Sequence, residues 1–274
     1  MSASVLDTMP VRGRPKFRRL LLAEWTKMRS VRSTVWSLLL LIVLTLGFTA
    51  LTTALIVNQW SKTDPVDRAR VVANPVGAIL GGGLSLSQLT ICVLGAMVMA
   101  TEYSTGMIRA SLLAEPRRLP MFTAKGVVLA VVVFIVGEIV VFPTFFLGAA
   151  ILHSKAPVSI TDHNVLRSVI GAGIYLCVLG LFSMAIGEIV RHTAAAITTT
   201  IGIIFVLPLI ALAIPGGLGR HIRGYLPSNA GQLIASAERS TNDVLSAWQG
   251  FGIFCLWTAA LLIVAAYLLE RRDA

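Results

Sequence analysis

Charge is scarce in this 274-residue sequence. Asp, Glu, Lys and Arg make up 13% of it against 56% hydrophobic residues, and its mean hydropathy is +0.82. That excludes an ordinary water-soluble domain, in which about a quarter of residues are charged. Histidine is scarce as well: His153, His163, His192 and His221 all fall in connections or at the ends of apolar runs. Bis-histidine haem ligation and an intramembrane Ser/His hydrolase both need histidine at depth, so both are disfavoured. Three cysteines, Cys92, Cys177 and Cys255, lie inside apolar runs without metal-ligand spacing and read as small packing residues. No GxxxxGK[ST] phosphate loop occurs, and the glycine run 81–83 lacks the lysine that would reach a phosphate. Acidic residues are outnumbered 13 to 23 by Lys and Arg, for a formal net charge of +10. Beside apolar spans such basic residues serve orientation and anionic lipid rather than nucleic acid.

What the chain has instead is six apolar runs, each long enough to cross a bilayer, at about 35–57, 76–101, 126–152, 168–190, 194–214 and 248–269. The runs are continuous rather than alternating, which excludes a barrel and predicts an all-α, polytopic membrane helix bundle. Trp36 and Trp60 flank the first span at interface depth. The second span is diluted by Gly81, Gly82, Gly83, Ser85, Ser87 and Gln88, and small residues of this kind suit an interior helix. Pro143 is available to kink the third. The fourth and fifth are joined only by Arg191, His192 and Thr193, which predicts an antiparallel pair. Glu270, Arg271, Arg272 and Asp273 stop the sixth at a surface, leaving 271–274 as a tail.

The basic residues give the orientation. One side of the six-span arrangement holds Arg12, Arg14, Lys16, Arg18, Arg19, Lys27, Arg29, Arg32, Arg109, Arg117, Arg118, Lys125, Arg191, Arg271 and Arg272. The other holds only Lys62, Arg68, Arg70, Lys155, Arg167, Arg220, Arg223 and Arg239. The richer side is cytoplasmic by the positive-inside rule, so both termini are expected there. Residues 1–15 read as a disordered lead rather than a cleaved signal, since no short apolar region follows them before the first full-length span.

Three segments outside the spans and one residue within them carry chemistry. Residues 16–34 predict an amphipathic helix along the inner surface, with Phe17, Leu20, Leu21, Trp25, Met28 and Val31 on the apolar face. Glu24 falls within that apolar arc, where lipid offers a carboxylate nothing; the alternative is a plain anchor helix. The connection 102–122 predicts a short helix holding Met107, Ile108, Leu112 and Leu113, capped by Ser104 or Thr105 and stopped by Pro116. It reads either as a docking knob or as a surface helix shielding the loop. Glu138 is the ionisable residue deep in a span, where a charge costs about 2.5–3.5 kcal/mol on insertion scales. It is a candidate pathway residue or proton relay, or a neutral acid bonded across the bundle. The connection 215–247 is the longest on the outer side, with a helix over 229–239 turning Leu233 and Ile234 inward as one reading and an ordinary loop as the other.

Glu-Trp-Thr-Lys-Met-Arg-Ser-Val-Arg-Ser-Thr from Glu24, Glu-Tyr-Ser-Thr-Gly-Met-Ile-Arg-Ala from Glu102, Arg-His-Thr-Ala-Ala-Ala-Ile from Arg191 and Pro-Ser-Asn-Ala-Gly-Gln from Pro227 occur in that order. Together with six spans they resemble the type-2 ABC exporter permeases in their actinobacterial form. The resemblance implies that the pre-span helix is an interface helix, with Glu24, Trp25, Lys27 and Arg29 toward a cytoplasmic ABC ATPase. It implies that Glu102, Tyr103, Thr105, Gly106, Met107, Ile108 and Arg109 form the coupling element docking into that ATPase. It also implies short or re-entrant helices capping the exit in the outer connection. A transport subunit without enzymatic activity, in a bacterial plasma membrane, is then expected, with ATP and Mg on two ATPase copies and a second permease as homodimer or heterodimer partner. Glu24 would pair with a basic residue of the ATPase or of the coupling element, and Glu102 with Arg109. Two rival readings are a proton-coupled secondary transporter using Glu138 and a non-transporting scaffold or sensor.

Overall fold

The computed structural model describes residues 17–108, 113, 117–240 and 243–272. The lead 1–15, Arg109, Leu112, Pro116 and the last two residues of the tail lie outside them. Among the described residues no strand occurs, and six helices are long and apolar enough to cross a membrane: Thr34–Asn58, Pro75–Ser104, Arg118–Leu152, Val165–Val190, Thr193–Leu212 and Ala247–Arg271. The chain is an all-α polytopic bundle. We number its helices α1 (Phe17–Ser30), α2 (Arg32–Asn58), α3 (Pro65–Ala73), α4 (Pro75–Ser104), α5 (Arg118–Leu152), α6 (Val165–Val190), α7 (Thr193–Leu212), α8 (Gly216–Tyr225), α9 (Pro227–Gln232) and α10 (Ala247–Arg271).

Local chemistry sets the boundaries. Asn74 ends α3 and caps α4, its side chain accepting from Gly77 N while Pro75 takes the first position, where a missing N–H costs nothing. Arg191 ends α6 in the left-handed conformation at φ 58° and His192 caps α7, giving the two-residue reversal that the antiparallel pair requires. Ser246 and Gln249 close a capping box at the start of α10. Within α7 a π turn spans Gly202–Val206 just ahead of Pro208. Proline removes the hydrogen bond to the carbonyl four residues back and crowds it, and a widened turn relieves that crowding. Pro143, by contrast, sits within an unbroken α5.

α4 and α6 form the centre, with 67% and 72% of their most apolar stretches buried. α2, α7 and α10 are only 22% buried and form the periphery. The interior placement expected of the second span from its small residues is what the fold shows. Gly95 of α4 rests on the backbone of Gly180 in α6, and Gly187 of α6 on that of Ala96 in α4. In lipid, where apolar side chains gain nothing from leaving the solvent, such close backbone approach is what holds helices together.

The third helix begins at Arg118 rather than at 126, so Lys125, which sequence reading leaves in a connection, lies seven residues inside α5. At the opposite end, the expected helix over 229–239 is instead α9 followed by a single 3-10 turn, Leu233–Ala235, with Ile234 buried. This piece dips back into the bundle. Gln232 Nε2 donates to Gln88 Oε1 at 3.1 Å, and the Tyr175 hydroxyl donates to the same oxygen at 2.8 Å. At a rise of about 1.5 Å per residue, Gln88 is about 20 Å along α4 from its start and Tyr175 about 15 Å along α6. The polar tip of α9 therefore meets α4 and α6 well inside the bundle, near the middle of α4.

Candidate functional site

α1, the last turns of α4 and the first turns of α5 meet at one end of the bundle around four charged side chains. Lys125 Nζ donates to Glu24 Oε2 at 2.6 Å and to Glu102 Oε1 at 2.7 Å. Lys27 Nζ donates to Glu102 Oε1 at 2.6 Å and to Glu24 Oε1 at 3.3 Å. The result is a closed, electrically balanced ring that joins three helices. The Lys125 side chain is 2% exposed, Glu102 5% and Glu24 10%, while Lys27, at 27%, forms the outer member. Burial alone pulls the Lys27 ammonium down, but the hydrogen bonds and charges of Glu102 and Glu24 outweigh it and hold its pKa above the usual 10.5. Lys27 is therefore charged across the physiological range.

The ring explains Glu24. Its place in the apolar arc of α1 is wrong for a lipid face and right for a face packed on the bundle, and Glu24 and Met28 are the buried residues of the helix. Phe17, Trp25 and Val31, expected on the apolar face, are exposed, with Arg18, Arg19 and Arg29. Thus Glu24 takes its basic partners, Lys125 and Lys27, from its own chain. Glu102 is likewise paired with Lys27 and Lys125, and its expected partner Arg109 lies outside the described residues. Of the implied interface residues, Trp25 and Arg29 face outward.

A second cluster starts one residue later. The Tyr103 hydroxyl donates to Glu188 Oε1 at 2.7 Å, and Arg191 Nη2 donates to the same oxygen at 3.3 Å. The Arg191 guanidinium lies 4.7 Å from the centre of the Tyr103 ring, within cation–π range, and reaches the Leu268 carbonyl at 3.3 Å. Arg118 Nη1 donates to the carbonyls of Leu269 and Arg272, both at 2.7 Å, and Arg272 Nη1 to that of Ile189 at 3.3 Å. These contacts tie α4, α5, α6 and α10 together at the same end. Fully buried Glu188 is, like Glu102 and Glu138, a carboxylate within a candidate span. Its Gly-Glu-Ile-Val setting repeats that of Glu138, the only signal that could have drawn attention to it.

The coupling element starts from these two clusters. The helix expected after Ser104 and Thr105 lies mostly outside the described residues; both hydroxyls donate back to α4, Thr105 Oγ1 to the Thr101 carbonyl at 2.7 Å and Ser104 Oγ to those of Ala100 and Thr101. Gly106, at φ 71°, turns the chain in a conformation that side chains rarely adopt. Met107 is then exposed and Ile108 buried. Between α1, α2 and α4, beside the ring, lies a cavity of about 80 Å³.

Glu138 stands apart from both clusters. It is half-buried, its carboxylate lies against α6 at Gly173, where a Cβ would collide with Oε1, and among the described residues neither oxygen has a hydrogen-bond partner. The acid bonded across the bundle is therefore not what the fold contains. Among the described residues no group of three or more His, Cys, Asp or Glu is placed to hold a metal ion.

Fold and site together define a polytopic helical membrane protein, of a build that fits a membrane transporter component. No protein-family model matches the chain, and no curated protein matches it.

Proposed function

We propose that this chain is the membrane-spanning permease subunit of an ATP-driven exporter for a hydrophobic or amphipathic substrate. ATP and Mg are bound, and ATP hydrolysed, on a separate cytoplasmic ATPase in two copies, and a second permease, identical or related, completes the pathway. The end carrying α1 is cytoplasmic, the membrane is the bacterial plasma membrane, and the chain has no catalytic residues of its own.

One observation carries this reading. The two segments that the family resemblance assigns to the ATPase, α1 and the chain leaving α4, are bonded to each other through the ring of Glu24, Lys27, Glu102 and Lys125. A push on the 105–109 connection reaches α1 and α5 through Glu102, and α6 and α10 through Tyr103, Glu188 and Arg191. A transporter driven from outside the membrane needs that kind of mechanical continuity. The exposed Arg18, Arg19, Trp25 and Arg29 leave a basic, aromatic surface for a partner beside it.

Copurification tests the reading. A tagged chain taken from native membranes in mild detergent is expected to bring with it a soluble ATPase bearing a phosphate-binding loop. Arg29→Glu, on the exposed face, should lose that ATPase with the elution profile and thermal stability of the chain unchanged. Recovery of the chain alone, in wild type and variant alike, would remove the proposal.

The partnerless oxygens of Glu138 favour a second reading, a secondary transporter that loads a proton there. In the exporter reading Glu138→Gln keeps ATP-dependent transport and its insensitivity to a protonophore. Loss of transport in Glu138→Gln, with protonophore-sensitive transport in wild type, would transfer support to proton coupling.

A further inference from the structure

The cavity beside the ion ring is used by nothing described so far. It lies where α1 crosses the first turns of α2 and the last turns of α4, and three of the chain's eight methionines, Met28, Met97 and Met107, line it. Thioether side chains are flexible and polarizable, and walls made of them accept apolar bodies of varied shape. Its lining residues Val31 and Met107 are exposed, so the mouth opens at the surface of the α1 end. One wall is the ring itself, in which two carboxylates face two ammonium groups. Glu102, 4% exposed, spends Oε1 on both lysines and leaves Oε2 buried without a partner among the described residues.

We infer that this cavity binds a neutral amphiphile, whose apolar chain lies along Met28, Met97 and Met107 and whose hydroxyl or amide head donates a hydrogen bond to Glu102 Oε2. The balance of the ring selects the head. A carboxylate would set a second negative charge against an oxygen that already lacks a donor. An ammonium would bring a net positive charge beside Lys27 and Lys125 in a region of low dielectric. A neutral donor satisfies the orphaned oxygen and leaves the ring balanced. The oxygen is enclosed, so the head reaches it by displacing Met107, an exposed side chain of the lining. The cavity holds the head and the first few carbons, and the remainder of the chain leaves through the mouth beside Val31.

The inference rests on the cavity and not on ATP coupling; in the exporter proposed above it makes neutral amphiphiles of the inner leaflet the substrate class and this the loading site. The test accordingly uses neither ATP nor a partner. The full chain in lipid nanodiscs is photolabelled with a diazirine-bearing long-chain alcohol, and in parallel with the matched carboxylic acid and trimethylammonium compounds. The alcohol should label peptides containing Met28, Met97 or Met107, in a fraction displaced by excess unlabelled dodecanol. That displaceable labelling should exceed that by either charged probe about tenfold, equivalent to about 1.4 kcal/mol of preference. Met97→Trp, which fills the cavity, should abolish it at Met28 and Met107. Displacement in the wild-type chain decides the matter even if the variant fails to fold. Labelling confined to lipid-facing surfaces, labelling that dodecanol does not displace, or equal displaceable labelling by the acid would overturn the inference.

Discussion

Lys125→Met is expected to cost the bundle about 3–5 kcal/mol, among the largest losses available to a single substitution in this chain. Lys125 is the least exposed member of the ring and the only one bonded to both carboxylates at under 2.8 Å. Removing its charge leaves Glu24 and Glu102 facing each other across a buried interface with only the partly exposed Lys27 between them. The cost comes from stranding charges already buried, because a paired buried ion gains little over an apolar pair of the same shape. A second expectation follows from the same physics. Lys125→Met combined with Glu24→Gln and Glu102→Gln should recover most of the loss, since no uncompensated buried charge then remains. Thermal unfolding in detergent measures both. A single variant as stable as wild type, or a triple variant worse than the single, would count against the ring as the clamp on α1.

Gly95→Leu and Gly187→Leu should disrupt the central α4–α6 contact, while Gly81→Ala should be neutral or stabilising. A Cβ at Gly95 would lie 2.5 Å from the Gly180 carbonyl oxygen and 2.7 Å from Ser183 Cβ, and at Gly187 2.6 Å from the Ala96 carbonyl oxygen. Two of these three obstacles are backbone, which cannot swing aside, so the helices themselves must separate. Inserting even small groups into packed interiors costs about 1–3 kcal/mol, and leucine at both crossings should exceed that. Gly81 has nothing within 4 Å of its would-be Cβ, and alanine there gains about 1 kcal/mol of helix propensity. Monodisperse elution and thermal midpoint separate the two classes. If Gly95→Leu behaves like Gly81→Ala, the close approach of α4 and α6 is not what holds the bundle.

Much of this was legible in the residues. Continuous apolar runs gave six spans to within a few residues, apart from the start of α5, because length and hydropathy alone decide whether a helix crosses a bilayer. Glu24 announced itself as misplaced for a lipid face, and it is a member of the ring. The more buried of its two partners was hidden for two reasons. Lys125 stands 101 residues away, beyond any helical spacing, and as a cation near the end of a span it passes for a topology signal. The dip of α9 was hidden as well: nothing in Pro-Ser-Asn-Ala-Gly-Gln says that its last residue meets Gln88. Gln88, polar within an apolar span, was the visible half of that contact.

Glu102 and Tyr103 are neighbours in sequence, yet they grip different halves of the bundle, one through Lys27 and Lys125 and the other through Glu188. On a helix their side chains leave the axis about 100° apart. Twisting the last turn of α4 therefore carries both attachments round together, so torque applied at Gly106 is shared between α1 with α5 on one flank and α6 with α10 on the other. In the proposed exporter the end of α4 is then the single turn at which a push on the connection after Gly106 divides between two sets of helices.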